Sequence, residues 1–131
     1  MATATGEFKI TSWNEDTYKE LEGGAKLTRA SVTQGFTGDI EGEGAVEWLM
    51  CYSPEGTARF VGLQRVEGSL DGRGGSFVVE CAGDFDGGQA KGNWKVVPGS
   101  ATGDLTGLGG TGAFQAPLGS KASYNLDYEL A

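Results

Sequence analysis

Phe60-Val61-Gly62-Leu63-Gln64-Arg65-Val66 leads to Asp71-Gly72 and out again through Phe77-Val78-Val79-Glu80-Cys81, and this stretch decides the fold. Both flanks alternate with a period of two and carry β-branched or aromatic residues on one side, as half-buried strands do. Asp-Gly between them suits a two-residue hairpin, because both central positions of that turn take positive φ. With Asp71-Gly72 at the tip, Gln64 lies opposite Val79 and Cys81 is its diagonal neighbour on the same face. A four-residue loop over 71–74 would instead set Gln64 directly across from Cys81. Either register assigns Phe60, Gly62, Gln64, Val66, Phe77, Val79 and Cys81 to one face, which reads as the interior.

The same period recurs on both sides of this hairpin. It runs through Phe8-Ile10, Thr28-Ala30-Val32-Gln34-Phe36, Val46-Trp48-Met50-Tyr52, Trp94-Val96 and Tyr124-Leu126-Tyr128-Leu130. Strands are expected over 6–13, 25–38, 42–52, 57–70, 74–83, 89–97, 110–116 and 121–130, with no helix among them. About eight short antiparallel strands are best relieved of their edges by closing into a barrel. A two-sheet sandwich is the alternative. Glycine at 24 of 131 positions favours the barrel, since tight curvature needs kinks. No linker or composition shift divides the chain, so 1–131 reads as one β-barrel domain. Two stretches break the alternation. Asn14 to Gly24 is acidic and polar and reads as a long connection, able to lie as a flap over one mouth. Pro98 to Gly103 is a second irregular loop, without the Gly-Lys-Ser/Thr ending of a phosphate-binding loop.

Composition removes several chemistries. The chain has no histidine, which excludes Ser-His-Asp and Cys-His catalysis and imidazole zinc sites. A net charge of −8 argues against nucleic acid and anionic membrane surfaces as partners. Two cysteines, Cys51 and Cys81, make neither a disulfide scaffold nor a four-thiolate site, and their faces oppose, so both are expected as free thiols. With no secretory signal visible, the expectation is a cytoplasmic protein. Recurrent Gly-Asp-apolar-x-Gly turns, such as Gly38 to Gly42 and Gly103 to Gly107, resemble calcium-binding repeats. They lack tandem spacing, so hairpin turns are the better reading, and no metal or cofactor is expected.

The interior face supplies the candidate site. Trp48, Tyr52, Phe60, Gln64, Cys81, Trp94 and Tyr128 are expected to line it, with Phe114 and Tyr124 adding to the aromatic wall. A buried amide at Gln64 needs a partner, for which Tyr52, Tyr128, a trapped water or a ligand carbonyl would serve. Cys81 in an apolar wall reads as an inert, packed thiol. Gly44 and Gly62 leave room between the aromatics. A filled core and an apolar cleft for a small molecule therefore both remain open.

Several ordered blocks carry a resemblance. Thr28-Arg29-Ala30-Ser31-Val32, Gly38 to Gly44, Phe60-Val61-Gly62-Leu63, Gly75-Ser76-Phe77-Val78, Val97-Pro98-Gly99-Ser100 and Leu126 to Leu130 are similar to a bacterial domain-of-unknown-function family, number 3224. The resemblance spans roughly 6–130 and implies an allene oxide cyclase-like barrel with an apolar interior. Relatives in this pattern usually carry Glu in place of Gln64 and His in place of Cys81, and His is common in the stretch matching Pro117 to Ala122. Such a pair would offer a general base and acid, and this chain holds neither, as natural divergence and design would both produce.

Three functions compete on this reading. One is a cofactor-free isomerase or cyclase that folds a flexible substrate in an apolar cavity. The second is a non-catalytic carrier with the same cavity, and the third a structural, oligomer-forming barrel. The outer face bears on the third, because Leu49, Val61, Leu63 and Val78 alternate with the interior set where polar residues would be expected. Arg59, Arg65 and Glu67 would rim that patch. A homo-oligomer, with a dimer favoured, follows unless the 14–24 segment covers the patch within one chain.

Overall fold

Alternation produces strands here almost without interruption. The computed structural model describes residues 2–130; Met1 and Ala131, the ends of the expected domain, lie outside the described residues. The strands are β1 (Ala2–Glu20), β2 (Lys26–Gly38), β3 (Ile40–Tyr52), β4 (Ala58–Leu70), β5 (Arg73–Phe85), β6 (Gln89–Val96), β7 (Thr102–Gly103), β8 (Gly109–Pro117) and β9 (Ala122–Glu129). One short 3-10 turn, Glu22–Gly24, is the only helical element among the described residues. Eight long strands follow the order β4-β3-β2-β1-β9-β8-β6-β5, and pairing of β4 with β5 closes the ring. Every pairing is antiparallel, so the fold is the closed barrel that the period-two pattern predicts.

The β4–β5 hairpin adopts the tighter of its two expected registers. Leu70 pairs with Arg73 and Gln64 with Val79. Asp71 and Gly72 sit at φ 49° and 82°, both in the left-handed region that this turn requires. Inward positions fill one core that includes Phe8, Phe36, Trp48, Phe60, Phe77, Trp94, Phe114 and Leu126.

Three expectations are corrected. Asn14 to Glu20 is not a loop but the continuation of β1, which pairs with β2 as far as Glu20–Lys26; only Leu21 to Ala25 turns. Irregularities between Ile10 and Ser12 and between Thr17 and Lys19 each insert one residue and invert which side chains face inward. The strand therefore loses its alternation without ending. The extended β1–β2 hairpin projects as a lip beyond one mouth and leaves the outer patch uncovered. Secondly, Val78 is half-buried rather than part of that patch, because the loop after β6 crosses it. Val97 N–H donates to Val78 O (2.9 Å) and Val78 N–H to Ser100 Oγ (3.1 Å). Thirdly, Gly44 and Gly62 leave no room. A Cβ on Gly62 would lie 2.2 Å from Glu47 O and 2.8 Å from the Trp48 ring, and one on Gly44 2.7 Å from Phe36. These glycines let strands and aromatic rings approach, and the space is already taken.

The two ends of the barrel differ. At the end holding Gly38, Ile40, Leu70 and Arg73, the 97–108 segment folds across the opening and buries Leu105 and Leu108 in the core. Tyr124 ties this rim, its hydroxyl accepting from Ile40 N–H (2.9 Å) and donating to Thr37 O (2.9 Å). Tyr128 donates to the Asp71 carboxylate, and Asp71 N–H to Asp39 O (2.8 Å). The other end has only its hairpin turns and the lip.

Candidate functional site

The unplugged mouth is an apolar recess of about 250 Å³. Its walls come from side chains that alternation points inward: Phe8 and Ile10 from β1, Trp48, Met50 and Tyr52 from β3, and Phe60 from β4. Phe85, Ala90, Phe114 and Ala116 close the far side, and Leu118, two-thirds exposed, stands at the rim. Trp13 belongs to the wall as well, because the bulge after Ile10 returns it to the inward set opposite Val32. Rings pack edge to face within the walls, Trp48 on Phe60 at 4.7 Å and Phe8 on Phe114 at 5.9 Å between centroids. Such contacts hold the walls in place and each adds about 0.5–1.5 kcal/mol beyond burial.

The seven side chains expected as one lining are divided along the barrel axis. Trp48, Tyr52 and Phe60 line the recess. Gln64 and Cys81 are buried below it, and Trp94 is packed in the core, stacked on Tyr124 at 5.7 Å. Tyr128 lies at the plugged end against Asp71. Gln64 does not reach Tyr52 or Tyr128. Its amide donates to Gln34 Oε1, and its own Oε1 faces Cys81 Sγ at 3.7 Å. Burial pushes the Cys81 thiol up to about 12, which keeps it protonated and inert. Cys51 is exposed on the outer face, so the two thiols are free and far from bridging geometry.

A polar cluster sits on the inner side of the lip, and the sequence reading missed it. Glu15 Oε2 accepts from Thr28 Oγ1 (2.7 Å) and Oε1 from Trp13 Nε1 (3.0 Å). Partial burial raises the Glu15 pKa, but these hydrogen bonds, the Tyr52 phenol and the Lys26 charge outweigh it and hold the carboxyl below its usual range. Tyr52 is pushed up to about 12, first by burial and then by the neighbouring Glu15. Lys26 Nζ lies 5.1 Å from the centroid of the Tyr52 ring, a cation on an aromatic face. Glu15 was hidden because a lone acid in a polar stretch looks solvated. Gln34, the partner of Gln64, was missed as well, although its shared parity with Val32 and Phe36 would have placed it inside.

The cluster is poorly matched to proton transfer. An acid held ionised is a weak base, and a phenol near 12 is a reluctant acid at neutral pH. No group of three or more His, Cys, Asp or Glu able to hold a metal ion occurs among the described residues. Nor, among them, is any helix long and apolar enough to cross a membrane.

Fold and site together define an up-and-down β-barrel with one sealed end and one apolar mouth. The chain belongs to the family described as protein of unknown function (DUF3224), whose sequence profile matches residues 4–128. It is similar to a solved structure of a DUF3224 protein of unknown function from Shewanella oneidensis MR-1, with 30% identity and a TM-score of 0.85. That similarity covers 100% of this chain and 98% of the other. No curated protein matches the sequence.

Proposed function

We propose that the protein binds a small apolar molecule in the unplugged mouth, with a basic or hydrogen-bond-donating end of that molecule set against Glu15. One observation carries the reading: an aromatic-walled recess, with Gln34 as its buried polar residue, has the Glu15 carboxylate just behind its wall, bonded to Trp13 and coupled to Tyr52. Apolar walls with a few fixed polar groups are the usual anatomy of small-molecule sites. The recess, at about 250 Å³, is small for such a site and suits a ligand of one or two rings. Aromatic faces and a carboxylate both favour a cation, as Lys26 on Tyr52 illustrates within the chain. Carriage is favoured over an isomerase or cyclase role because the recess offers no matched acid and base. The exposed free Cys51 is consistent with a reducing, cytoplasmic setting.

Calorimetric titration with naphthylmethylamine, naphthylmethanol and methylnaphthalene tests this. The amine is expected to bind tightest, by roughly tenfold over the hydrocarbon, equivalent to about 1.4 kcal/mol. Glu15→Gln should remove that preference and leave the shared apolar affinity. Ala116→Trp, which fills the recess, should abolish binding of all three compounds. Absence of binding by every compound to the wild type would end the reading.

A further inference from the structure

We propose that the protein forms a two-fold dimer through the outer face of β3, β4 and β5, with the two barrels crossed. Leu49, Val61 and Leu63 stand about half exposed on this face, at 49%, 54% and 56%. They are contiguous: Leu49 pairs with Val61, Val61 with Ala82, and Leu63 lies between Glu47 and Glu80. Outward positions of a sheet facing water would be polar. A contiguous apolar set there, rimmed by charge, marks an interaction surface.

Charge identifies the occupant as a second copy. Three ion pairs rim the patch, Arg29–Glu47 (2.8 Å), Arg59–Asp84 (2.9 Å) and Arg65–Glu67, and they are all the ion pairs found among the described residues. Glu80 and Lys95 add a fourth balanced couple, opposite one another in register. Glu43 and Lys91, exposed opposite Glu67 and Asp84, cancel as well, so five acids and five bases rim the patch and the net −8 lies elsewhere on the surface. Two copies of an acidic protein repel over most orientations and meet without like-charge cost on such a face. A basic partner would instead be expected to seek an acidic face.

Shape sets the arrangement. A shallow, open hollow follows the barrel's waist across this face, from Arg29 past Leu49, Val61 and Leu63 and on to Lys95 and Thr111. A twisted, closed sheet is a saddle, hollow along the barrel axis and bulging around it. Turning a second saddle by roughly a right angle seats each bulge in the other's hollow, as in orthogonal sheet packing. A two-fold axis at the middle of the patch then passes close to Val61, so Val61 meets its own counterpart.

Sedimentation at micromolar concentration is expected to give twice the chain mass of 13.6 kDa for the wild type and 13.6 kDa for Leu63→Glu. Leu63 is exposed, so that variant should fold, and its near-ultraviolet circular dichroism should match the wild type. In a Cys51→Ser background, Val61→Cys is expected to form a disulfide-linked dimer under mild oxidation. A monomeric wild type would overturn the proposal, as would a Leu63→Glu variant that stays dimeric. A dimeric Val61→Cys that fails to cross-link would overturn the axis placement and with it the crossed arrangement.

Discussion

The barrel treats its two ends differently: one is turned by the tight links at Asp39 and Asp71-Gly72, the other by four longer turns. At one end Leu105 and Leu108 enter the core from an irregular segment, and Tyr124 and Tyr128 bind the rim to the turns at Asp39 and Asp71. At the other end Ile10, Trp13 and Leu118 stay largely exposed around an apolar hollow. A barrel of eight strands is just narrow enough to be filled by its own side chains. A chain that fills one end and leaves the other unfilled has therefore separated stability from access. The sealed end anchors the fold, and the unsealed end keeps an open apolar hollow.

The largest expected effect breaks the sealed end. Leu105→Ala removes a side chain only 1% exposed and should cost about 2–5 kcal/mol in denaturant unfolding. Leu118→Ala, at the rim of the other mouth, should fall within about 0.5 kcal/mol of wild type. Equal losses for the two would erase the distinction between the ends. At the waist, Gly62→Leu forces a side chain against Glu47 O and the Trp48 ring, and overpacking there should cost at least about 1–3 kcal/mol. If instead the variant melts like wild type, the mouth recess continues through the waist and the ends communicate.

A smaller effect sharpens the picture of the lip. Glu15 is held below the ordinary carboxylate range in the folded protein, so folding favours its ionised form. That contribution is complete above the unfolded-state value of about 4.3 and is lost as pH falls through the folded value. Thermal unfolding followed into acid should therefore decline less steeply for Glu15→Gln than for wild type. Identical slopes would mean that the lip does not hold Glu15 against Thr28 and Trp13.

How far these features could be read in advance follows from what each residue answers to. β2 to β5 were legible to within two or three residues at each end, since their side chains alternate between water and core without a break. Asp71-Gly72 left two registers open, and the left-handed backbone at both residues, with Leu70 paired to Arg73, decides for the tighter one. β1 escaped beyond residue 13, since two single-residue bulges shift the phase of the pattern while the backbone pairing goes on. Leu105 and Leu108 gave no periodic signal, and only the three-dimensional path of their loop buries them. The site was half legible: Trp48, Tyr52 and Phe60 share a face and a mouth, whereas position along the axis, which removes Trp94 and Tyr128, leaves no trace in parity.

The up-and-down strand order bears on how quickly such a chain can assemble. Six of the eight seams join strands separated by a single short turn, and a seventh spans the 97–108 segment. Only the β1–β9 seam unites distant positions, pairing Ala4 with Leu126. Local hairpins can form within microseconds, while a contact between remote segments waits on a diffusive search of the whole chain. The entropy of closing that loop grows slowly with its length, at about 0.6 kcal/mol per doubling, so the distant seam is a modest thermodynamic burden. Its weight falls on kinetics: until β1 meets β9, both are unpaired edges, and the interval before closure is when the chain is most open to pairing with another.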